Sequence, residues 1–141
     1  MKEYPRATPE GPFFLGYKEP GVEEEFQVFK DYGDALSYME TPEVEEGSYR
    51  LFDCAGREAL LGTQKWDVTA RGWSEPRPDA MRSGISAFLR RMGHQPPDEE
   101  PDVRVFATKV APILQKLEDE DTPPWIRAIR GAVNRLRGRI G

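Results

Sequence analysis

Cysteine and histidine are nearly absent from this chain of 141 residues, which contains one of each, Cys54 and His94. A single cysteine excludes an internal disulfide framework, and these two side chains cannot complete the four ligands of a structural zinc site. A cysteine nucleophile requires a neighbouring base that accepts its proton, and no feature of the sequence brings Cys54 and His94 together. We therefore expect a cysteine packed in the core and a histidine at a helix end, not a catalytic pair.

Long apolar runs and ligand-binding loops are also missing. No run reaches the length of a membrane span, and the start Met-Lys-Glu-Tyr-Pro lacks the apolar segment of a signal peptide, so we expect a cytoplasmic protein. Gly47, Gly56 and Gly62 stand alone in turns and do not form a phosphate-binding loop. The acidic cluster at 98–102 lacks the alternating ligands and central glycine of a calcium loop. These absences predict no cofactor, no metal ion and no catalytic residue, and they lean against an enzyme.

Turn-forming residues and aromatic residues are both plentiful. Thirteen prolines and thirteen glycines indicate extensive turns and loops, whereas 7 Phe, 5 Tyr and 3 Trp provide side chains for a packed core. The length suits one compact domain, which we divide into an arm, a core and a helical part.

Charge is unevenly distributed around a net value of −5. Residues 1–66 hold 14 acidic and 7 basic side chains, and residues 67–94 hold 3 and 5. Residues 95–121 hold 8 acidic and 3 basic side chains, whereas residues 122–141 hold five arginines and no acid. Such asymmetry is typical of proteins that contact nucleic acid or membranes, and equally of segments that attract each other.

The first half of the chain predicts an α+β unit. Residues 1–23 are rich in proline and glycine and form an N-terminal arm, in which the apolar run at 13–17 is either a short edge strand or an anchored segment. Residues 24–73 form the core: a strand, a helix over about 32–40 with Asp31 as its N-cap, and further strands around a turn at Gly56. Pro42 ends this helix, the glutamates after it form an acidic turn, and residues 58–73 extend as strand.

The second half predicts helices. After a linker at 74–78, apolar residues at helical spacing predict a helix from Asp79, its N-cap, to Met92, stopped by Gly93. A second helix starts at Asp102 and kinks or breaks at Pro112, and a third starts at 122. The fold class is therefore α+β: a small antiparallel sheet of β-α-β-β type with one short helix, followed by two to three C-terminal helices. Residues 79–141 pack on the core, which makes one domain overall.

One segment, residues 35–59, resembles an element found in small uncharacterised bacterial α+β proteins. In that element a helix leads through an acidic turn into a strand and an Asp-x-x-Gly-Arg hairpin. The residues that carry the resemblance here are Tyr38, Glu45, Gly47, Tyr49, Asp53, Gly56 and Arg57. The resemblance implies a fold and no particular activity.

Charge and composition favour binding over catalysis. The acidic first half steers towards basic partners, so we expect a non-enzymatic protein-binding module, of the kind that includes immunity proteins and inhibitors. The expected contact residues are aromatic and acidic side chains near Gly47: Tyr38, Glu43, Glu45, Glu46 and Tyr49. The alternative is a nucleic-acid-binding or regulatory protein that uses the C-terminal arginines Arg127, Arg130, Arg135, Arg137 and Arg139. An enzyme with a carboxylate pocket is a third class, without a motif to support it.

Overall fold

A computed structural model describes residues 8–121 of the chain. Nine elements follow one another in these residues: β1 (Phe13–Tyr17), β2 (Glu25–Phe29), α1 (Tyr32–Tyr38), α2 (Thr41–Glu45), β3 (Tyr49–Phe52), β4 (Arg57–Gln64), β5 (Asp67–Pro76), α3 (Pro78–Arg91) and α4 (Val103–Asp121). The expected α+β class with C-terminal helices is confirmed. The expected third C-terminal helix, from 122 onwards, lies outside the described residues. Every helix within 8–121 is too short or too polar to span a lipid bilayer.

The five strands form one antiparallel sheet in the order β2-β1-β3-β4-β5. Strand β1 therefore lies between β2 and β3, and the edge position considered for it is wrong. The reason is the alternation of its apolar side chains, since Phe13 and Leu15 face one side of the sheet while Phe14 faces the other. A strand that is apolar on both faces is best accommodated inside a sheet covered on both sides.

Helices cover both faces of the sheet. On one face, α3 and α4 pack onto β1, β2 and β3 through a cluster that includes Phe14, Phe26 and Phe52. On the other face, α1 and α2 lie over a second cluster that includes Leu51 and Trp73. The sheet is thus the middle of three layers, with a separate apolar cluster on each side.

Two short helices, not one, connect β2 to β3. Helix α1 begins at the expected N-cap, where Asp31 Oδ1 accepts a hydrogen bond from the backbone N–H of Gly33 at 2.7 Å. The expected turn at Gly47 is present, with φ 78°, but the acidic approach to it is helical, because Glu43 and Glu45 lie in α2. Pro42 lies in the first turn of α2, where the missing N–H of proline has no intrahelical partner to lose.

The region expected to be a single strand at 58–73 is a hairpin of β4 and β5. The chain reverses at Lys65 and Trp66, with Lys65 at φ 57° and the Trp66 side chain 52% exposed. No glycine, asparagine or proline marks this turn, because a lysine takes the left-handed conformation that glycine usually occupies.

The C-terminal helices match the expected apolar spacing but differ at their ends. Helix α3 begins at Pro78 with Arg77 at the N-cap position and no side-chain cap, so the capping role expected for Asp79 is wrong. Its end at Gly93, which has φ 81°, follows the expectation. Helix α4 runs as one helix through Pro112, which excludes two separate helices, and Asp102 Oδ1 caps it by accepting from the backbone N–H of Arg104 at 2.9 Å.

The Asp-x-x-Gly-Arg segment is a structural turn between β3 and β4. Asp53 is fully buried, and its Oδ1 accepts hydrogen bonds from the backbone N–H groups of Ala55 and Arg57, both at 2.9 Å. Its Oδ2 pairs with Arg57 Nη1 at 3.2 Å. Gly56 has φ 83°, and a Cβ there would lie 2.8 Å from the Cα of Pro78. Each residue type of the motif therefore has a local structural reason.

Candidate functional site

A concave pocket of about 350 Å³ opens beside the ends of β1 and β3, on the face of the sheet covered by α1 and α2. Strand residues form its floor, and the ends of the two helices form its wall. The lining residues are Leu15, Tyr17, Glu25, Gln27, Tyr38, Glu40, Glu43 and Tyr49.

The floor follows directly from the strand register. Tyr17 of β1 is paired with Glu25 of β2 on one side and with Tyr49 of β3 on the other. In an antiparallel sheet such directly opposed residues share one face, so these three side chains form a row across three strands. The rings of Tyr17 and Tyr49 lie 5.0 Å apart between centroids and are tilted by 41°.

The wall depends on the break between α1 and α2. Tyr38 is the last residue of α1, Glu40 is the N-cap residue of α2, and Glu43 lies in the first turn of α2. Since Met39 and Glu40 adopt extended backbone angles, the chain turns between the helices and brings these three side chains to one cavity.

A single carboxylate joins the two floor tyrosines to the wall. Glu43 Oε2 accepts a hydrogen bond from the Tyr49 hydroxyl at 2.5 Å, and Glu43 Oε1 accepts one from the Tyr17 hydroxyl at 3.1 Å. The Tyr17 hydroxyl has one hydrogen and lies between two carboxylates, since Glu19 is also within hydrogen-bonding distance. Charge-assisted hydrogen bonds of this kind are stronger than neutral ones, so Glu43 fixes the Tyr49 ring, whereas Glu19 and Glu43 share the single donor of Tyr17.

The same contacts keep both tyrosines protonated. Burial, followed by the hydrogen bond to Glu43, raises the pKa of the Tyr49 hydroxyl well above its ordinary value. The pKa of Tyr17 is also raised, first by its hydrogen bond to Glu19, then by burial and by Glu43. At neutral pH both hydroxyls therefore act as hydrogen-bond donors and carry no charge.

Gln27 adds a polar group to the floor. Its Nε2 donates to the hydroxyl of Tyr38 at 3.0 Å, whereas its buried Oε1 accepts no hydrogen bond from the described residues. Buried polar atoms in folded proteins nearly always have a partner, so this acceptor marks the floor as a place where a donor would be favourable.

Of three consecutive glutamates before and at the start of β2, two are neutralised by arginines and the third lines the pocket. Of the run Glu23-Glu24-Glu25, the first two pair with Arg91 at 2.8 Å and Arg50 at 2.5 Å. Glu25 has the opposite strand parity from Glu24, lines the pocket and forms no ion pair with the described residues. Among residues 8–121, the lining thus contains three carboxylates, those of Glu25, Glu40 and Glu43, and no lysine, arginine or histidine.

The structure brings together some of the residues expected at a contact surface. Tyr38, Glu43 and Tyr49 line the pocket. Glu45 and Glu46 lie outside it, exposed at the end of α2, where Glu45 Oε1 accepts a hydrogen bond from Thr63 Oγ1 at 3.2 Å. The alternative nucleic-acid residues all lie outside the described part of the chain: Arg127, Arg130, Arg135, Arg137 and Arg139.

Sequence reasoning missed the strand residues of the site. Tyr17, Glu25 and Gln27 share a face only once β1 is placed between β2 and β3, which is a long-range feature. The available signal was strand parity, since Gln27 alternates with the apolar residues Phe26 and Val28 and therefore lies on the opposite face.

The remaining candidates have structural roles. Cys54 is buried in the β3–β4 turn, and burial, together with Asp53 and Glu10, raises the pKa of its thiol. In the acidic segment 98–102, Asp98 pairs with Arg90, Glu100 pairs with Lys109 at 3.2 Å, and Asp102 caps α4. Within residues 8–121, no group of three or more acidic, histidine or cysteine side chains is arranged to hold a metal ion.

Protein-family models, curated proteins and solved structures gave no match. The pocket and the surface around it are therefore interpreted from their own chemistry.

Proposed function

We propose that this protein is a non-enzymatic protein-binding module, of the immunity or inhibitor kind, that binds a basic surface of its partner. The binding surface is the acidic face, defined as the pocket residues Tyr38, Glu43 and Tyr49 together with Glu45 and Glu46 on α2. One observation carries the proposal: in the part of the chain that the structure describes, a concave site is lined by three carboxylates and three tyrosines and by no basic side chain.

The chemistry of the acidic face favours a protein over a nucleic acid. Carboxylates repel phosphate backbones, and they attract lysine and arginine side chains with a strength that falls as salt increases. Tyrosines supply large, rigid contact areas of the kind that concentrate binding energy in interfaces. The exposed glutamates of α2 extend this potential beyond the pocket.

The test reverses charge outside the hydrogen-bonded pocket, so that folding is preserved. The double variant Glu45→Lys/Glu46→Lys is compared with Glu75→Lys/Glu99→Lys, which makes the same charge change at exposed positions elsewhere. We expect the first variant to lose capture of the partner from the source lysate and binding to a lysine-rich peptide, while the control retains both. Equal binding by the two variants would contradict the proposal.

A nucleic-acid-binding role remains the rival because residues 122–141 carry a charge of +5 from five arginines. The rival is tested with the variant Arg130→Glu/Arg135→Glu/Arg137→Glu and with nuclease treatment of the lysate. Capture that disappears with nuclease and depends on these arginines alone would favour the rival. Capture that resists nuclease and depends on Glu45 and Glu46 supports the acidic face.

A further inference from the structure

We infer that the pocket is a recognition site for one primary alkylammonium group, the end of a lysine side chain that the basic partner inserts into the cavity bounded by the floor tyrosines and the ends of α1 and α2. This inference rests on the proposed function and specifies which group of the partner is recognised. Its basis is the arrangement of acceptors, aromatic rings and apolar surface in the pocket.

The acceptors surround the pocket instead of forming one flat edge. Glu25 and Gln27 belong to β2, Glu40 occupies the N-cap position of α2 and Glu43 lies within α2. An ammonium is a compact charge with three donors that can point in different directions, which suits acceptors from several elements. A guanidinium is planar and prefers both oxygens of one carboxylate; both oxygens of Glu43 already lie against tyrosine hydroxyls, so such a pair would use Glu25 alone, whereas an ammonium can contact acceptors of several elements at once.

The rings suit the rest of a lysine side chain. Tyr17, Tyr38 and Tyr49 line the same cavity. The rings of Tyr17 and Tyr49 stack obliquely on each other. Aromatic faces attract cations and cover the methylene stem of a lysine. Since the Tyr49 hydroxyl is bound to Glu43, this ring is held before any ligand arrives, which lowers the entropy cost of binding.

Gln27 provides an observation independent of the carboxylates. Gln27 lines the pocket, but its Oε1 is buried and accepts no hydrogen bond from the described residues. The last torsion of a glutamine side chain is soft, so a rotation of the amide that gives up the hydrogen bond to Tyr38 would present this oxygen to a ligand in the cavity. A donor from an ammonium would satisfy it.

The experiment uses the full chain and a defined probe, Nα-acetyl-lysine N-methylamide, followed by two-dimensional NMR of labelled protein. We expect saturable shift changes centred on Tyr17, Gln27 and Tyr49. The Nε-acetylated probe, which lacks the charge, should bind about tenfold more weakly. Glu25→Gln should weaken lysine binding about threefold, whereas the matched exposed-strand variant Glu75→Gln should not change it.

Several results would overturn the inference: no shift at the pocket, equal binding of the acetylated probe, or tighter binding of the corresponding arginine probe. These results differ from failure of the proposed function. If capture of the partner still depends on Glu45 and Glu46 while the lysine probe leaves the pocket unperturbed, the acidic face stands and the ammonium site does not. If capture ignores the acidic face altogether, the proposed function itself fails.

Discussion

Asp53 shows how one residue can support a whole turn. Its buried carboxylate accepts from two backbone N–H groups and from Arg57 Nη1, and Oδ2 also accepts from the backbone N–H of Glu10 at 3.3 Å. Asp53→Ala leaves these donors without their acceptor, so we expect the free energy of unfolding to fall by about 2–4 kcal/mol. Urea denaturation followed by circular dichroism measures this loss.

The matched control is Asp67→Ala, because Asp67 is exposed and its side chain forms no hydrogen bond or ion pair with the described residues. Its effect should stay within about 0.5 kcal/mol. Similar small effects for both variants would mean that the Asp-x-x-Gly-Arg turn is not held by Asp53.

The floor tyrosines give the stability a dependence on alkaline pH. Their folded-state pKa values are raised, while an unfolded tyrosine titrates near pH 10. A raised folded pKa stabilises the protein below the unfolded value, and this stabilisation is lost as pH rises beyond it. We therefore expect the free energy of unfolding to decrease above about pH 10, together with late ionisation of two tyrosines in an absorbance titration.

The double variant Tyr17→Phe/Tyr49→Phe distinguishes the ionisation of these two tyrosines from that of the other tyrosines in the chain. It should remove the late-titrating fraction and flatten the alkaline decrease in stability. Tyr32→Phe serves as a control, because Tyr32 is 40% exposed and lies outside the pocket. An unchanged late fraction in the double variant would show that Tyr17 and Tyr49 are not its source.

At the scale of elements, α4 tolerates a proline that weakens it. Pro112 is exposed in the interior of this 19-residue helix and cannot donate a backbone hydrogen bond to the carbonyl of Thr108, four residues earlier. Pro112→Ala restores the donor and a strong helix former, so we expect a gain in stability of about 1–3 kcal/mol. Pro112→Gly restores the donor alone and should gain about 1 kcal/mol less. Thermal unfolding that shows no gain for alanine would contradict this reasoning.

The elements that were predictable are those governed by local spacing. Helix α3 could be anticipated because Met81, Ile85 and Leu89 recur at the helical period and are all buried. The β4–β5 hairpin could not, because its reversal at Lys65 carries no glycine, asparagine or proline. Helix α2 is not predicted from the sequence, because Pro42 indicates the end of the preceding helix. Proline is equally suited to a first helical turn, and it begins α2 in this way.

The residues of the candidate site also fall into two groups: those that local sequence predicts and those that depend on long-range strand pairing. Tyr38, Glu43 and Tyr49 could be selected as aromatic residues close in sequence to acids, and all three line the pocket. Tyr17 and Glu25 depend on the pairing of β1 with both β2 and β3, which joins residues far apart in the chain. Strand order is decided by the packing of both faces of the sheet, so a local pattern cannot specify it.

At the scale of the whole molecule, the pocket depends on a sheet that two separate clusters stabilise. Leu114 of α4 is 1% exposed and packs in the cluster on the side opposite the pocket, whereas Trp73 belongs to the cluster beneath α1 and α2. Both clusters share β1, because Phe14 belongs to the first and Leu15 to the second. Destabilising α4 should therefore destabilise the pocket face of the sheet as well. We expect the described residues to unfold as one cooperative unit.

Leu114→Ala tests this coupling, and we expect it to reduce the free energy of unfolding by about 2–4 kcal/mol, as buried leucine truncations do. Measured in a Trp66→Phe/Trp125→Phe background, fluorescence reports Trp73 alone, while far-ultraviolet circular dichroism reports mainly the helices. The two transitions should coincide and shift together, because α4 and Trp73 are connected through the same strands. If the helical signal melted first and Trp73 kept its original midpoint, the two sides of the sheet would be separate units, and the pocket would not depend on α4.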